Sequence, residues 1–203
     1  LADGDVTVNA SLETGTADTV DGDATSGLVS VTSSNGSVAM SAATVMTGDA
    51  TVTGNGTATS GAITLTAERN VDSDALSTGV ASAAEGDATS GAIDVVATSG
   101  NVTLTTVTSG DATVAGNGTA TSGAITLTAS GANGTLTLDD ALTGVASVGA
   151  TGSATSGAIT LLADGDVTVN ASLETGTADT VDGDATSGLV SVTSSNGSVA
   201  MSA

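Results

Sequence analysis

The chain has 203 residues, a formal net charge of −21 and one basic residue, Arg69, and it contains no aromatic residue, proline, cysteine or histidine. Nucleic acid and anionic membrane surfaces are disfavoured as partners, because both are bound through lysine and arginine side chains. A thick core is disfavoured without aromatic side chains. Because no apolar run approaches the roughly 18 residues of a transmembrane helix, we expect no membrane insertion.

A nonapeptide that contains the triplet TSG recurs along the chain. Its threonine falls at Thr25, Thr59, Thr89, Thr121, Thr155 and Thr186, so that the spacing stays close to 32 throughout. Residues 1–42 return unchanged as residues 162–203, so residues 1–161 form one long repeat that contains five short repeats. We expect residues 1–203 to be one continuous segment of a longer repetitive chain, produced by tandem duplication.

Three strand-like pieces follow one another in each short repeat. In the third repeat they are AIDVVA from Ala92, VTLTT from Val102 and DATVAG from Asp111. Segments rich in Gly, Ser and Asn separate them and are typical of turns. Within a piece, apolar residues alternate with polar ones, which places the two sets on opposite faces of a strand. The pattern predicts three short strands per repeat.

A strand pattern with this nearly fixed period predicts an all-β fold, a parallel β-solenoid (β-helix) with one coil per repeat. Equivalent apolar residues then form internal ladders along the stack. The two ladders are Val29, Ile63, Ile93, Ile125, Ile159 and Val190, and Val31, Leu65, Val95, Leu127, Leu161 and Val192. A string of β-sandwiches is the alternative architecture, and low complexity also leaves disorder open.

The second residue of the nonapeptide varies in a way that stacking explains. It is Asp23, Thr57, Asp87, Thr119, Ser153 and Asp184 in successive repeats, so an acid never follows an acid. Stacked strands lie roughly 4.8 Å apart, and two carboxylates at that spacing repel by about 1 kcal/mol even in water. We expect a hydroxyl between two such acids to remove the repulsion and to donate a hydrogen bond to each.

The acidic residues also suggest cation binding. A charge of −21 spread over a rod of about 30 Å approaches the charge density of duplex DNA, which favours divalent cations as partners. The DGD sequences cluster carboxylate oxygens, which calcium prefers, although Asp-Gly is also ordinary turn chemistry. The calcium candidates are Asp21, Asp23, Asp182 and Asp184. No cofactor is required by the pattern, and calcium is the one that it suggests.

The units SGAITLTASGANGTLTL from Ser122 and SGAIDVVATSGNVTLTT from Ser90 resemble repeats of filamentous haemagglutinin-like exoproteins. Those are bacterial surface adhesins, long right-handed β-helices that are often secreted by a two-partner route. The shared feature is G-x-[IV]-x-[LV]-x-A, then a Gly or Asn turn and a second alternating strand. The short repeat of this chain is longer than that family's coil. The resemblance implies a right-handed coil and an extracellular or cell-surface location, and it assigns no ligand-binding residue.

These observations predict a non-catalytic structural fibre or stalk of a surface adhesin or matrix. Its partner would be itself, either end to end or as a longer chain. Catalysis is disfavoured because the chain lacks His, Cys, Lys and Tyr, and Arg69 reads as an exposed turn residue beside Glu68. An ice- or carbohydrate-binding solenoid is the alternative function, with outward threonine ladders as its surface. The predicted outward column is Ser30, Thr64, Asp94, Thr126 and Thr160, which Asp94 interrupts.

Overall fold

The structure is a computed structural model that describes residues 1–202, apart from the side chain of Ala42. Within those residues there is no helix, and the pairings between strands are parallel. Successive coils lie about 32 residues apart in the sequence and about six of them are stacked, which confirms the predicted parallel β-solenoid. The right-handed sense that the resemblance implies stays a prediction.

The strands of successive coils form three sheets, one for each of the three predicted strand-like pieces. Sheet 1 comprises Val29–Ser33, Ile63–Ala67, Ile93–Ala97, Ile125–Ala129, Ile159–Ala163 and Val190–Ser194. Sheet 2 comprises Val6–Thr7, Leu12–Glu13, Val38–Met46, Val71–Ser77, Val102–Thr108, Leu136–Leu142, Val167–Val169, Leu173–Glu174 and Val199–Met201. Sheet 3 comprises Ala17–Thr19, Ala24–Thr25, Ala50–Thr59, Ala81–Thr89, Ala112–Val114, Gly118–Thr121, Ala146–Thr155, Ala178–Asp182 and Ala185–Thr186.

Sheet 1 carries both predicted apolar ladders in the expected register. Ile93 pairs with Ile63 in the coil before it and with Ile125 in the coil after it. The second ladder, which runs through Val95, keeps the same register along the whole sheet. The three isoleucines are at most 1% exposed, and burial of one such side chain contributes roughly 1.5–3 kcal/mol to folding.

Each coil contributes to two apolar clusters. The larger cluster lies between sheets 1 and 2, and Ile63 and Val71 are examples of the side chains that meet there. The smaller cluster lies within sheet 3 and is built mainly of alanine, including Ala81 and Ala88 from one strand. Two thin clusters of aliphatic and alanine side chains therefore fill the interior of each coil, and no aromatic side chain is needed to do so.

The bend in sheet 3 corrects one prediction in half of the coils. The glycine segments before each TSG are predicted as turns, and at 20–23, 115–117 and 183–184 they do interrupt the strand. In the other three coils the segment continues one strand, as residues 85–87 do within Ala81–Thr89. Gly86 has a φ of 105°, a conformation that glycine adopts far more readily than other residues. A Cβ atom at Gly86 would also overlap the carbonyl oxygen of Gly56 in the coil below. In these three coils a strand that bends at glycine thus takes the place of the expected turn.

Buried hydroxyl groups separate the two apolar clusters. They form two columns along the stack, one of Ser26, Ser60, Ser90, Ser122 and Ser156 and one of Thr47, Thr78, Ser109 and Thr143. Ser60 Oγ donates to the Gly79 carbonyl at 2.6 Å, and Thr78 Oγ1 donates to the Gly91 carbonyl at 2.8 Å. The Gly91 N–H in turn donates to Ser60 Oγ at 2.8 Å. The network therefore crosses each coil and links it to the next.

Candidate functional site

Two exterior features repeat along the stack and are the candidates for function. The first is the acidic edge, which lies where sheet 3 bends. It consists of two adjacent columns, Asp21, Asn55, Glu85, Asn117, Thr151 and Asp182, and Asp23, Thr57, Asp87, Thr119, Ser153 and Asp184. The second is the TSG groove, which lies where sheet 3 passes into sheet 1.

The acidic edge places neutral residues between the acids, as the repeat pattern predicts. Asp87 lies in register with Thr57, and the neighbouring Glu85 lies in register with Asn55. The predicted hydrogen bonds are different, because the backbone N–H of the neutral residue is the donor rather than its hydroxyl. The Thr57 N–H donates to Asp23 Oδ1 at 3.0 Å. Each such carboxylate therefore ties its coil to the coil above.

Carboxylates elsewhere on the coil make the same kind of bond between coils. Asp49 Oδ1 accepts the Val80 N–H at 2.8 Å, and Asp111 Oδ1 accepts the Val145 N–H at the same distance. Charged acceptors make a stronger hydrogen bond than neutral ones, and solvent screens part of that gain at exposed positions such as these. The acidic composition therefore serves the stacking of coils as well as charging the surface.

The four calcium candidates occupy the acidic edge in two pairs, one in each copy of the duplicated segment. Asp21 Oδ1 accepts the Asn55 N–H at 3.1 Å, and Asp23 accepts the Thr57 N–H. Asp182 lies in register with Thr151, and both Asp182 and Asp184 are exposed. Within residues 1–202 no group of three or more acidic side chains is arranged to hold a metal ion. Calcium binding by these pairs stays a prediction.

Glu68 and Arg69 occupy the turn between sheets 1 and 2, where both are exposed, as predicted. The Glu68 carboxylate accepts hydrogen bonds from the Thr98 and Ser99 hydroxyls in the next coil, each at 2.8 Å. The hydrogen bond from Thr98, then that from Ser99, and finally the positive charge of Arg69 lower the pKa of Glu68 below its ordinary value of 4.5. Glu68 thus also connects two coils.

The TSG groove has a volume of about 350 Å³ and runs across three coils. Its walls carry the TSG threonines on one side and, on the other, the residues that follow the TSG glycine, such as Leu28 and Ala62. The threonine column is Thr25, Thr59, Thr89, Thr121, Thr155 and Thr186, and it is in register from end to end. The groove therefore has one threonine per coil on one wall, and its accessible lining is mostly apolar.

The structure explains two residues of the TSG triplet through packing, and it leaves the third facing outward. Ser90 is buried and hydrogen bonded, and a Cβ atom at Gly91 would overlap the carbonyl oxygen of Gly61. Thr89 is exposed, and its hydroxyl does not take part in the network that binds Ser90. Threonine at this position is therefore not required by the core.

The uninterrupted threonine column is not the one predicted from the sequence. The predicted column lies on the outer face of sheet 1, where Asp94 pairs with Thr64 and Thr126 and breaks the row of hydroxyls. The TSG threonines could have been identified from the sequence, because they are the one outward polar position that is the same in all six repeats. The constant threonine is easy to overlook, because the serine and glycine beside it are also constant and already give the triplet a structural role at the corner.

Comparisons with known proteins found no match to this chain among family models, curated proteins or solved structures. The relationship to filamentous haemagglutinin-like exoproteins therefore stays at the level of a resemblance between repeats. The part of the chain that the structure describes contains no helix long and apolar enough to cross a membrane.

Proposed function

We propose that this chain is a segment of an extracellular structural fibre or stalk of the bacterial adhesin type, non-catalytic and assembled by stacking coils. The observation that carries the proposal is that residues 1–42 and 162–203 are identical and lie five coils apart in the same register. A stack that returns to its starting sequence without a change of register can be extended by further units. In this proposal the solenoid is itself the filament.

The net negative charge favours separate thin filaments over bundles of filaments. The 22 acidic side chains and single arginine give the stack as a whole one sign of charge. Two parallel rods of this kind repel each other, and added salt screens that repulsion over about 10 Å at 0.1 M. Such a fibre would stay separate from its neighbours, as suits a stalk or a hydrated surface matrix.

Electron microscopy of tandem chains tests the proposal. Chains with one, two and four copies of residues 1–161 should form rods of constant width whose length grows by about 24 Å per copy, since five coils rise by roughly 4.8 Å each. Compact particles whose width grows with copy number would contradict it. Labelling of intact source cells with an antibody to the chain tests the surface location, and signal only after lysis would contradict that part.

The TSG groove supports a second candidate, the binding of a neutral glycan chain. Its mostly apolar lining suits the apolar faces of sugar rings, and the threonine column beside it has one hydroxyl per coil that could bond to the sugar hydroxyls. A concave groove suits an extended chain better than it suits the flat surface of ice. Neutral glycans are favoured over anionic ones because the chain carries a net charge of −21.

Hydroxyl removal in the groove tests this candidate. We expect Thr59→Val with Thr89→Val to abolish retention on insoluble neutral polysaccharides, because valine keeps the shape and loses the hydrogen bonds. The matched control is Thr113→Val, an exposed position of the same sheet outside the groove. Equal retention of the two variants would contradict glycan binding, and thermal hysteresis of the unmodified chain would favour ice instead.

A further inference from the structure

One internal coil has a poorer core than the coils on either side of it. Coil 63–89, as we name it, consists of the strands Ile63–Ala67, Val71–Ser77 and Ala81–Thr89. In sheet 2 of this coil, Ser73 lies in register with Met40 in the coil below and with Leu104 in the coil above. Ser73 is 1% exposed, because strand alternation places its neighbours Asp72 and Asp74 outside. A serine thus occupies a position that holds a long apolar side chain in both adjacent coils.

The hydroxyl of Ser73 adds a second weakness. It has no hydrogen-bond partner, and within residues 1–202 no other buried side-chain oxygen or nitrogen lacks one. Buried serines elsewhere are bonded, as Ser60 is to Gly79 and Ser90 to Gly110. A polar group that loses water on folding and gains no partner destabilises the folded state. Ser73 therefore weakens this coil both through lost apolar contacts and through an unpaired hydroxyl.

The alanine cluster is depleted in the same coil. Ala83 is 2% exposed and lies in register with Val52 in the coil below and with Val114 in the coil above. An alanine between two valines leaves the larger side chains with less to pack against, which costs apolar contact. The thinning in sheet 3 is independent of the thinning at Ser73, because it lies in the other apolar cluster.

Two larger side chains offset part of this loss. Leu65 and Leu76 each have one carbon more than Val95 and Val107, with which they lie in register. The serine and the alanine together lack more carbons than the two leucines add. Coil 63–89 therefore buries less apolar surface than coil 93–121, the next one in the stack, and stability falls with each buried carbon that is lost.

Backbone bonds between coils do not make up the difference. The Val71 N–H donates to the Asn101 carbonyl at 2.9 Å, and the equivalent Val102 N–H donates to the Thr135 carbonyl at the same distance. What distinguishes coil 63–89 from coil 93–121 is therefore its core. Both are internal coils, so neither is exposed at an end of the stack.

We infer that coil 63–89 is a yielding coil, the internal part of the stack that opens first while the other internal coils stay stacked. Stacked, it adds roughly 4.8 Å to the rod, whereas the 30 residues from Ile63 to Ile93 span up to about 100 Å when extended. Its opening would lengthen a fibre under tension without separating the units. That role rests on the proposed fibre, in which one coil of every five would yield, but the local opening is a property of the single chain.

Hydrogen exchange of the full chain tests the inference. Equivalent N–H groups of the two coils donate to the coil above them, and they are those of Val71, Thr78 and Ala81 in coil 63–89 and those of Val102, Ser109 and Ala112 in coil 93–121. After correction for intrinsic rates, we expect the first three to exchange at least tenfold faster than the second three, because local opening exposes them without global unfolding. Equal protection of the two sets would overturn the inference.

A variant with a restored core tests the cause. Ser73→Val with Ala83→Val fills both thin positions, and we expect it to slow exchange in coil 63–89 at least tenfold. The matched control is Ser77→Val with Ser82→Val, which adds valines to the outer faces of the same two strands and should change the rates less than threefold. A control that slows exchange as much as the core variant would contradict the account.

The converse variant does not depend on how well the added valines fit. Leu104→Ser with Val114→Ala gives coil 93–121 the thin core, and we expect fast exchange to appear there as well. If neither core variant changes the exchange of the coil that carries it, core packing does not select the opening coil and the inference is wrong. The rod lengths of tandem chains remain a separate check on the fibre, because these measurements are made on single chains.

Discussion

Removal of one buried hydroxyl should destabilise the stack far more than removal of its exposed neighbour. Ser90 is 2% exposed, donates to the Gly110 carbonyl at 2.5 Å and accepts the Gly123 N–H at 2.7 Å. Ser90→Ala removes both bonds and leaves the buried Gly123 N–H without its acceptor, whereas Gly110 is half-buried and its carbonyl keeps access to water. A buried polar group left without its partner costs about 1–3 kcal/mol, so we expect a loss of that size in the free energy of unfolding.

The adjacent residue is the control. Thr89 belongs to the same triplet but is exposed, and Thr89→Ala should cost less than about 1 kcal/mol, the range of strand propensity. Because the chain has no aromatic residue, urea unfolding is followed by far-ultraviolet circular dichroism. Exchange of the Gly123 amide reports the local effect and should accelerate in Ser90→Ala alone. Equal destabilisation by the two variants would refute the account of the hydroxyl columns.

Three further predictions follow from the charges. Asn55→Asp places a carboxylate between Asp21 and Glu85 and should lower the free energy of unfolding by about 1–2 kcal/mol at low salt. The control Asn101→Asp has no acid in register and should lower it by less than about 0.5 kcal/mol. Urea titrations compare the two variants, and equal losses would contradict the stacking of charges. Because the folded state lowers the pKa of Glu68, the stability difference between the original chain and Thr98→Val should be largest above pH 4.5 and should shrink as the pH falls through the lowered pKa. The remainder comes from the bonds of the Thr98 hydroxyl to the Ala67 and Glu68 carbonyls, and a difference that does not change with pH would contradict the account. Salt should raise the melting temperature, and calcium should raise it more than sodium at equal ionic strength; identical melts in the two salts would argue against any role for divalent cations.

The sequence predicts the fold well because the ladder residues carry two periodicities at once. Alternation within AITLTA identifies the inward face at Ile63, and recurrence of the same pattern in the next repeat identifies its neighbour Ile93. Both signals depend on side-chain type alone. The register of the acidic edge is predictable for the same reason, since Thr57 and Asp87 occupy equivalent positions of the nonapeptide.

The hydroxyl columns and the bend in sheet 3 are harder to predict. Serine and glycine at a corner are ordinary turn residues, and nothing in TSG indicates that Ser60 is buried and bonds to Gly79 across the coil. That contact depends on how closely two corners of one coil approach each other. The bend at Gly86 likewise depends on a close carbonyl in the coil below, which the sequence of one repeat does not reveal.

The proposal that the solenoid is the filament is tested most directly by cryo-electron microscopy of the native material. We expect thin unbranched filaments with a coil spacing of roughly 4.8 Å and a longer axial repeat of about 24 Å, the rise of five coils. The density of each coil should show two apolar lobes joined at the columns that contain Ser90 and Thr78. Native material that consists of discrete particles, or of filaments without the five-coil axial repeat, would contradict the account.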